Sequence, residues 1–214
     1  MAWNHRARSG LALLVAVAVV GCAETGTRPA PAASAPPAAA PPAAPVPAAA
    51  AAEQPPPGQA LVSFMRPSMF GFAISSSVFE VVDDHAVLVG IVQSKKRITA
   101  VVQPGEHLFM VIGESADFMT ADVSADKSYY ALVTPRVGAW KARFSLRPVH
   151  QAELGSPQFD GWLADSTPTI KLPKDDSWAA ANLASVESKR AKYYPEWLRK
   201  APGDRPALVP ADGR

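Results

Sequence analysis

Side chains able to do covalent or acid–base chemistry are few in this chain of 214 residues, and widely spaced. There is one cysteine, Cys22, just past an apolar run. A lone thiol permits no internal disulfide and no cysteine metal cluster. His85, His107 and His150 have no second histidine or cysteine at metal-ligand spacing, so neither a metal nor a cofactor is expected. Adjacent carboxylates occur at Asp83-Asp84 and Asp175-Asp176, but nothing in their spacing pairs them for acid–base work. The stretch GESAD (113–117) is too loose for a nucleophile elbow, and no Gly-rich phosphate loop is present. What remains is charge. Lys141, Arg143 and Arg147 alternate along AWKARFSLR and form a face that can meet an anionic partner, while Trp140, Ala142, Phe144 and Leu146 point the other way. Residues 188–200, SKRAKYYPEWLRK, are basic with interleaved aromatics and can lie on a membrane surface or dock a partner. The same patterns also suit a solvated strand face and a helix packed on its own domain.

The segment that positions Cys22 is the most informative. Arg6 and Arg8 precede Leu11–Val20, an apolar run of ten residues. A spanning helix needs roughly twenty. The shorter length, followed by the small Gly21, reads as a signal peptide over residues 1–21. VVGC (Val19–Cys22) resembles the lipobox of bacterial lipoprotein precursors: a branched aliphatic, a small or aliphatic residue, Gly or Ala, then Cys. That resemblance implies diacylation of the Cys22 thiol, cleavage before it and acylation of the new amino group. Ala23 after the cysteine implies, by the sorting rule of Gram-negative lipoproteins, the outer membrane. The expected location is therefore the bacterial cell envelope, with a lipid anchor as the membrane contact. Without Arg6 and Arg8 the 21 Lys and Arg residues become 19, equal to the 19 Asp and Glu, so no overall basic field recruits nucleic acid.

Residues 22–58 read as a disordered tether. Of the 36 residues after Cys22, 15 are Ala and 11 are Pro, with no aromatic to build a core. From Gln59 the composition changes to short apolar runs separated by turns, the pattern of a single antiparallel β-sandwich over 59–150. Strands are expected at 60–66, 77–83, 86–92, 97–103, 107–113, 117–123, 128–134 and 139–147, with 107–113 central because it is apolar on both faces. A loop over 151–174 precedes a C-terminal helix over 175–200, with Asp175 or Asp176 as N-cap. Ala179, Leu183, Val186 and Tyr193 share a face of that helix, and Pro195 should end or kink it. Residues 201–214 read as a disordered tail.

Arg66-Pro67 closing the first strand, the Asp83–His85 turn, Pro104–His107 and Tyr129-Tyr130 resemble a domain of unknown function found in bacterial lipoproteins, loosely similar to PEGA-type β-sandwich modules. SMFGFAISSS (68–77) is longer and more apolar than that pattern, and the hairpin turn lacks its usual glycine. The resemblance implies a fold and transfers no catalytic residue. The functional expectation is a non-enzymatic binding or scaffolding module, its partner an envelope protein or an anionic glycan or lipid. The alternatives are a tethered envelope hydrolase, with His107 and scattered carboxylates as its site, and an assembly factor docking through its C-terminal helix. Because no other residue offers a thiol, Cys22→Ala should abolish lipidation. Palmitate labelling of that variant at the wild-type level would refute the anchor.

Overall fold

The computed structural model describes residues 54–136 and 143–214. Cys22, the expected signal peptide, most of the expected tether, and Trp140, Lys141 and Ala142 lie outside the described residues. Within them the chain is mainly β. Its strands are β1 (Ala60–Arg66), β2 (Ser76–Val82), β3 (His85–Val92), β4 (Lys96–Val102), β5 (Gly105–Ile112), β6 (Ala116–Val123), β7 (Ser128–Arg136), β8 (Arg143–Pro148) and the short β9 (Thr167–Pro168) and β10 (Ala207–Leu208). Two helices, α1 (Pro157–Ala164) and α2 (Pro173–Leu198), follow β8. The strands form two five-stranded sheets, ordered β8-β7-β1-β4-β9 and β10-β6-β5-β2-β3. The first seven strands begin and end within two residues of the spans read from the sequence. The turn between β2 and β3 places Asp83 (φ 48°) and Asp84 (φ 65°) in the left-handed region. Aspartate tolerates that conformation, which a tight hairpin demands, so the turn closes without glycine.

Burial follows the alternation of each strand. Ala60, Val62 and Phe64 of β1 join Val133, Phe144 and Leu146 from their own sheet and Val78, Phe109, Val111 and Met119 from the other in one apolar cluster. Met65 of β1 points the opposite way and packs with Tyr130, Leu132, Val149 and Phe159, so α1 covers the outer face of the first sheet. On the second sheet, Phe79, Met110, Ile112 and Phe118 pack with Val186 and Trp197 of α2. β5 lies between β6 and β2 and is buried on both faces towards its end, as its sequence suggests.

Several expectations are corrected. The sheets are mixed rather than antiparallel: β1 pairs with β7, β4 with β9 and β6 with β10 in parallel. These partners are distant in sequence, and no turn signal announces them. The stretch 151–174 contains α1, capped by Ser156 Oγ accepting from Phe159 N at 3.1 Å, with Pro157 in the first turn. α2 starts at Pro173, and Asp175 sits inside it, accepting from the Leu172 amide at 2.8 Å rather than preceding it. Pro195 does not end α2, which continues to Leu198. Leu183 is exposed, whereas Val186 and Trp197 are buried. Residues 201–214 are not a loose tail. Leu208 and Asp212 are buried, Asp212 accepts from the Val209 and Gln151 amides, and Arg214 exchanges backbone hydrogen bonds with Ser128.

Trp197 stacks on Tyr194 and tilts against Phe118. Trp197→Ala should therefore cost about 3–5 kcal/mol of folding free energy. Leu183→Ala on the same helix should stay within about 0.5 kcal/mol. Urea denaturation of both variants checks the pair, and equal losses would contradict this packing of α2.

Candidate functional site

Polar residues on an inward strand position are costly unless paired, and Asp117 is such a residue. It shares the parity of Met119, Ala121 and Val123, which line the core common to both sheets, and it is buried. Two cations satisfy it. Arg136 Nη2 donates to Oδ2 at 2.9 Å, and Lys200 Nζ donates to Oδ1 at 3.3 Å. They come from the end of β7 and from just beyond α2, so three separate elements converge on one carboxylate.

The β7–β8 register adds a third cation. Arg136 lies directly opposite Arg143. Like charges in that position repel and lower stability. Asp117 compensates Arg136, while Arg143 has no carboxylate partner among the described residues. Asp117, Arg136, Arg143 and Lys200, with Ser115, Tyr193, Glu196, Trp197 and Phe144, line an open cavity of about 320 Å³. Its lining carries three cations against the two carboxylates of Asp117 and Glu196. It offers positive charge beside aromatic surface, and no histidine stands beside Ser115 to activate it. Trp197 Nε1 is buried without a hydrogen-bond partner among the described residues.

The expected anionic-partner face is only partly brought together here. Arg143 lines the cavity. Arg147, on the same face of β8, turns to Glu153 and covers the Trp162 ring at 5.3 Å. Burial works to raise the Glu153 pKa, but the hydrogen bonds from Arg147 and the His150 amide prevail and hold it below the usual carboxylate value. Lys141 and Cys22 lie outside the described residues. Asp117, Arg136 and Lys200 were not singled out from the sequence. The usable signal was Asp117, a charge in the apolar parity of DFMTADV.

The histidines have structural settings. His150 Nδ1 lies 3.1 Å from Asp212 Oδ2, and His85 is exposed at the start of β3. In the β2–β5 pairing Glu80 lies opposite Phe109, two residues from His107. Glu80 Oε1 lies 2.6 Å from His107 Nδ1, while Nε2 faces the Gln103 carbonyl at 2.8 Å. Both partners are acceptors, a setting that favours the doubly protonated ring. Among the described residues, no group of His, Cys, Asp and Glu is arranged to hold a metal ion, and no helix is long and apolar enough to cross a membrane. No family model matches the sequence, and no curated protein is similar enough to it to count as a relative.

The hydrogen bond to Glu80 is the main cause that raises the His107 pKa above its ordinary value, against the opposing effect of burial. A raised folded pKa stabilises fully below the unfolded value of about 6.5 and fades as pH climbs through the folded value. The melting-temperature gap between wild type and His107→Gln should therefore be widest near pH 6 and shrink on the alkaline side. A gap that is constant or widens with pH would show that the ring is not held as a cation.

Proposed function

We propose that this chain is a lipoprotein of the bacterial cell envelope, anchored through Cys22 in the outer membrane, whose β-rich domain is a non-enzymatic binding module. On this reading the two sheets are one β-sandwich closed by the C-terminal helix, a view supported by the apolar cluster that they share. The module takes an anionic group, a phosphate or carboxylate carried on an envelope glycan or lipid, in the cavity around Asp117.

The observation that carries the reading is the opposed pair Arg136 and Arg143 in the lining of that cavity. Two guanidinium groups across a hairpin cost stability, and only one of them has a carboxylate beside it. An incoming anion relieves that cost by bridging to Arg143. Arginine suits the task because its planar fork matches phosphate and carboxylate oxygens in two places. Tyr193 beside it supplies an aromatic face of the kind that packs on a sugar ring.

The test is calorimetric titration of the full chain with glucosamine phosphate, and with glucosamine as the uncharged control. The phosphorylated sugar should bind, and binding should weaken as salt rises. Arg143→Gln should reduce affinity about tenfold, equivalent to ~1.4 kcal/mol. Equal binding of both sugars, or an unchanged affinity in the variant, would refute the anionic site.

A further inference from the structure

The loop from Pro67 to Ser75 joins β1 in one sheet to β2 in the other. Its large side chains face water: Met69 is 57% exposed, Phe70 58%, Phe72 70% and Ile74 43%. No other stretch of this length among the described residues carries so much exposed apolar surface. A concentration of this kind marks a contact with another phase or molecule.

The loop is held in place from beneath. Arg66 is wholly buried, with its guanidinium 4.7 Å from the centre of the Phe144 ring. Nη1 donates to the Ile74 carbonyl at 2.6 Å, and Nη2 donates to the Gly71 carbonyl at 2.7 Å and the Phe70 carbonyl at 3.3 Å. The Ile74 amide donates to the Gly71 carbonyl, and the Phe70 amide to Ser68 Oγ, each at 3.0 Å. Backbone groups that reach an apolar medium unpaired are costly, and here the amides of Phe70 and Ile74 and the carbonyls of Phe70, Gly71 and Ile74 are already paired.

Charge indicates what covers the loop. No acidic residue occurs between Ala60 and Phe79. The β3–β4 turn packs against the loop's base, with Ser94 Oγ donating to the Ser68 carbonyl at 2.9 Å and the Lys95 amide to the Arg66 carbonyl at 2.8 Å. That contact sets the backbone of Lys95 and Lys96 beside the loop's base. Lys95 pairs with Asp165, while Lys96 and Arg66 have no carboxylate partner among the described residues. An apolar tip with a cationic base matches the layers of an anionic leaflet, headgroups outside and acyl chains beneath. A protein partner fits less well: a stable interface takes about 800 Å² per side, and four such side chains offer on the order of half that.

We infer that the Pro67–Ser75 loop is a membrane-insertion loop. Met69, Phe70, Phe72 and Ile74 enter the outer part of a leaflet while Lys96, at the loop's base, meets anionic headgroups. The test uses the full chain bearing Cys22→Ser, with an environment-sensitive fluorophore attached at Ala73→Cys. It is mixed with phosphatidylcholine vesicles with and without phosphatidylglycerol, each containing lipids with a quencher on the acyl chain. The fluorophore should shift to the blue and be quenched, more strongly with phosphatidylglycerol. The same fluorophore at Ala125→Cys in the β6–β7 turn should stay in water. Adding Phe70→Ser with Phe72→Ser should remove most of the quenching without changing the melting temperature. Because the reporter sits on the loop, it reads the loop however the rest of the chain reaches the vesicle. A fluorophore at residue 73 that stays in water while the chain co-sediments with vesicles would overturn the inference, as would equal quenching at residues 73 and 125.

Discussion

The fold depends on burying both faces of β1. All seven of its residues are buried, so each side of the strand needs its own cover. The second sheet supplies one cover and α1 the other. The strand then ends on Arg66, a cation in a place that cations avoid, and burial pushes the pKa of its guanidinium down. No carboxylate among the described residues neutralises it. It is held by backbone carbonyls and by the face of Phe144, so the loop that provides those carbonyls must keep its shape. Phe144 also lines the cavity with Arg143, which joins the loop and the cavity through one aromatic ring.

The C-terminal residues close the other side of the molecule. After α2 the chain turns through Pro202–Asp204, adds β10 to the free edge of β6 and reaches Asp212. An uncovered strand edge is a liability, and two residues of pairing are enough to blunt it. Burial acts to raise the Asp212 pKa, yet the Val209 and Gln151 amides and His150 together lower it below the carboxylate norm. Arg214 then lies 5.0 Å from the Tyr130 ring centre and 4.9 Å from that of Phe159. The approach leaves no space at Gly213, where a Cβ would stand 2.5 Å from the Tyr129 ring.

This architecture was legible where the signal is local. The period-two runs located the first seven strands, and the apolar run 107–113 announced a central strand. Interactions between distant residues were not legible. The parallel pairing of β1 with β7 joins residues more than sixty positions apart, and periodicity carries no record of it. β10 is too short to have a period, so the prolines and glycines around it read as a tail. α1 was hidden by Gly161, although Ser156-Pro157 already spelled a helix start. Of the cavity, Arg143 was found by alternation. Its companions were missed because only the fold brings Asp117, Arg136 and Lys200 to one point.

The parallel pairing also decides where the functional features can lie. Because β1 and β7 run the same way, Arg66 and Arg136 finish at the same end of the first sheet. The apolar loop and the cationic cavity therefore open at a common end, and both suit an anionic surface. The chain from Cys22 enters at the opposite end, through Gln59 before Ala60. β1 spans only about 20 Å at ~3.3 Å per residue. The 37 residues from 22 to 58 can cover at most about 130 Å, several strand lengths. Were Cys22 lipidated as proposed, a short connection would hold the loop pointing away from that membrane. A contour of about 130 Å would be long enough for the proposed insertion loop to meet that same leaflet or another surface. On the proposed reading, with Cys22 as the anchor and the loop as the contact, a connection several strand lengths long is what two attachment points at opposite ends of one domain require.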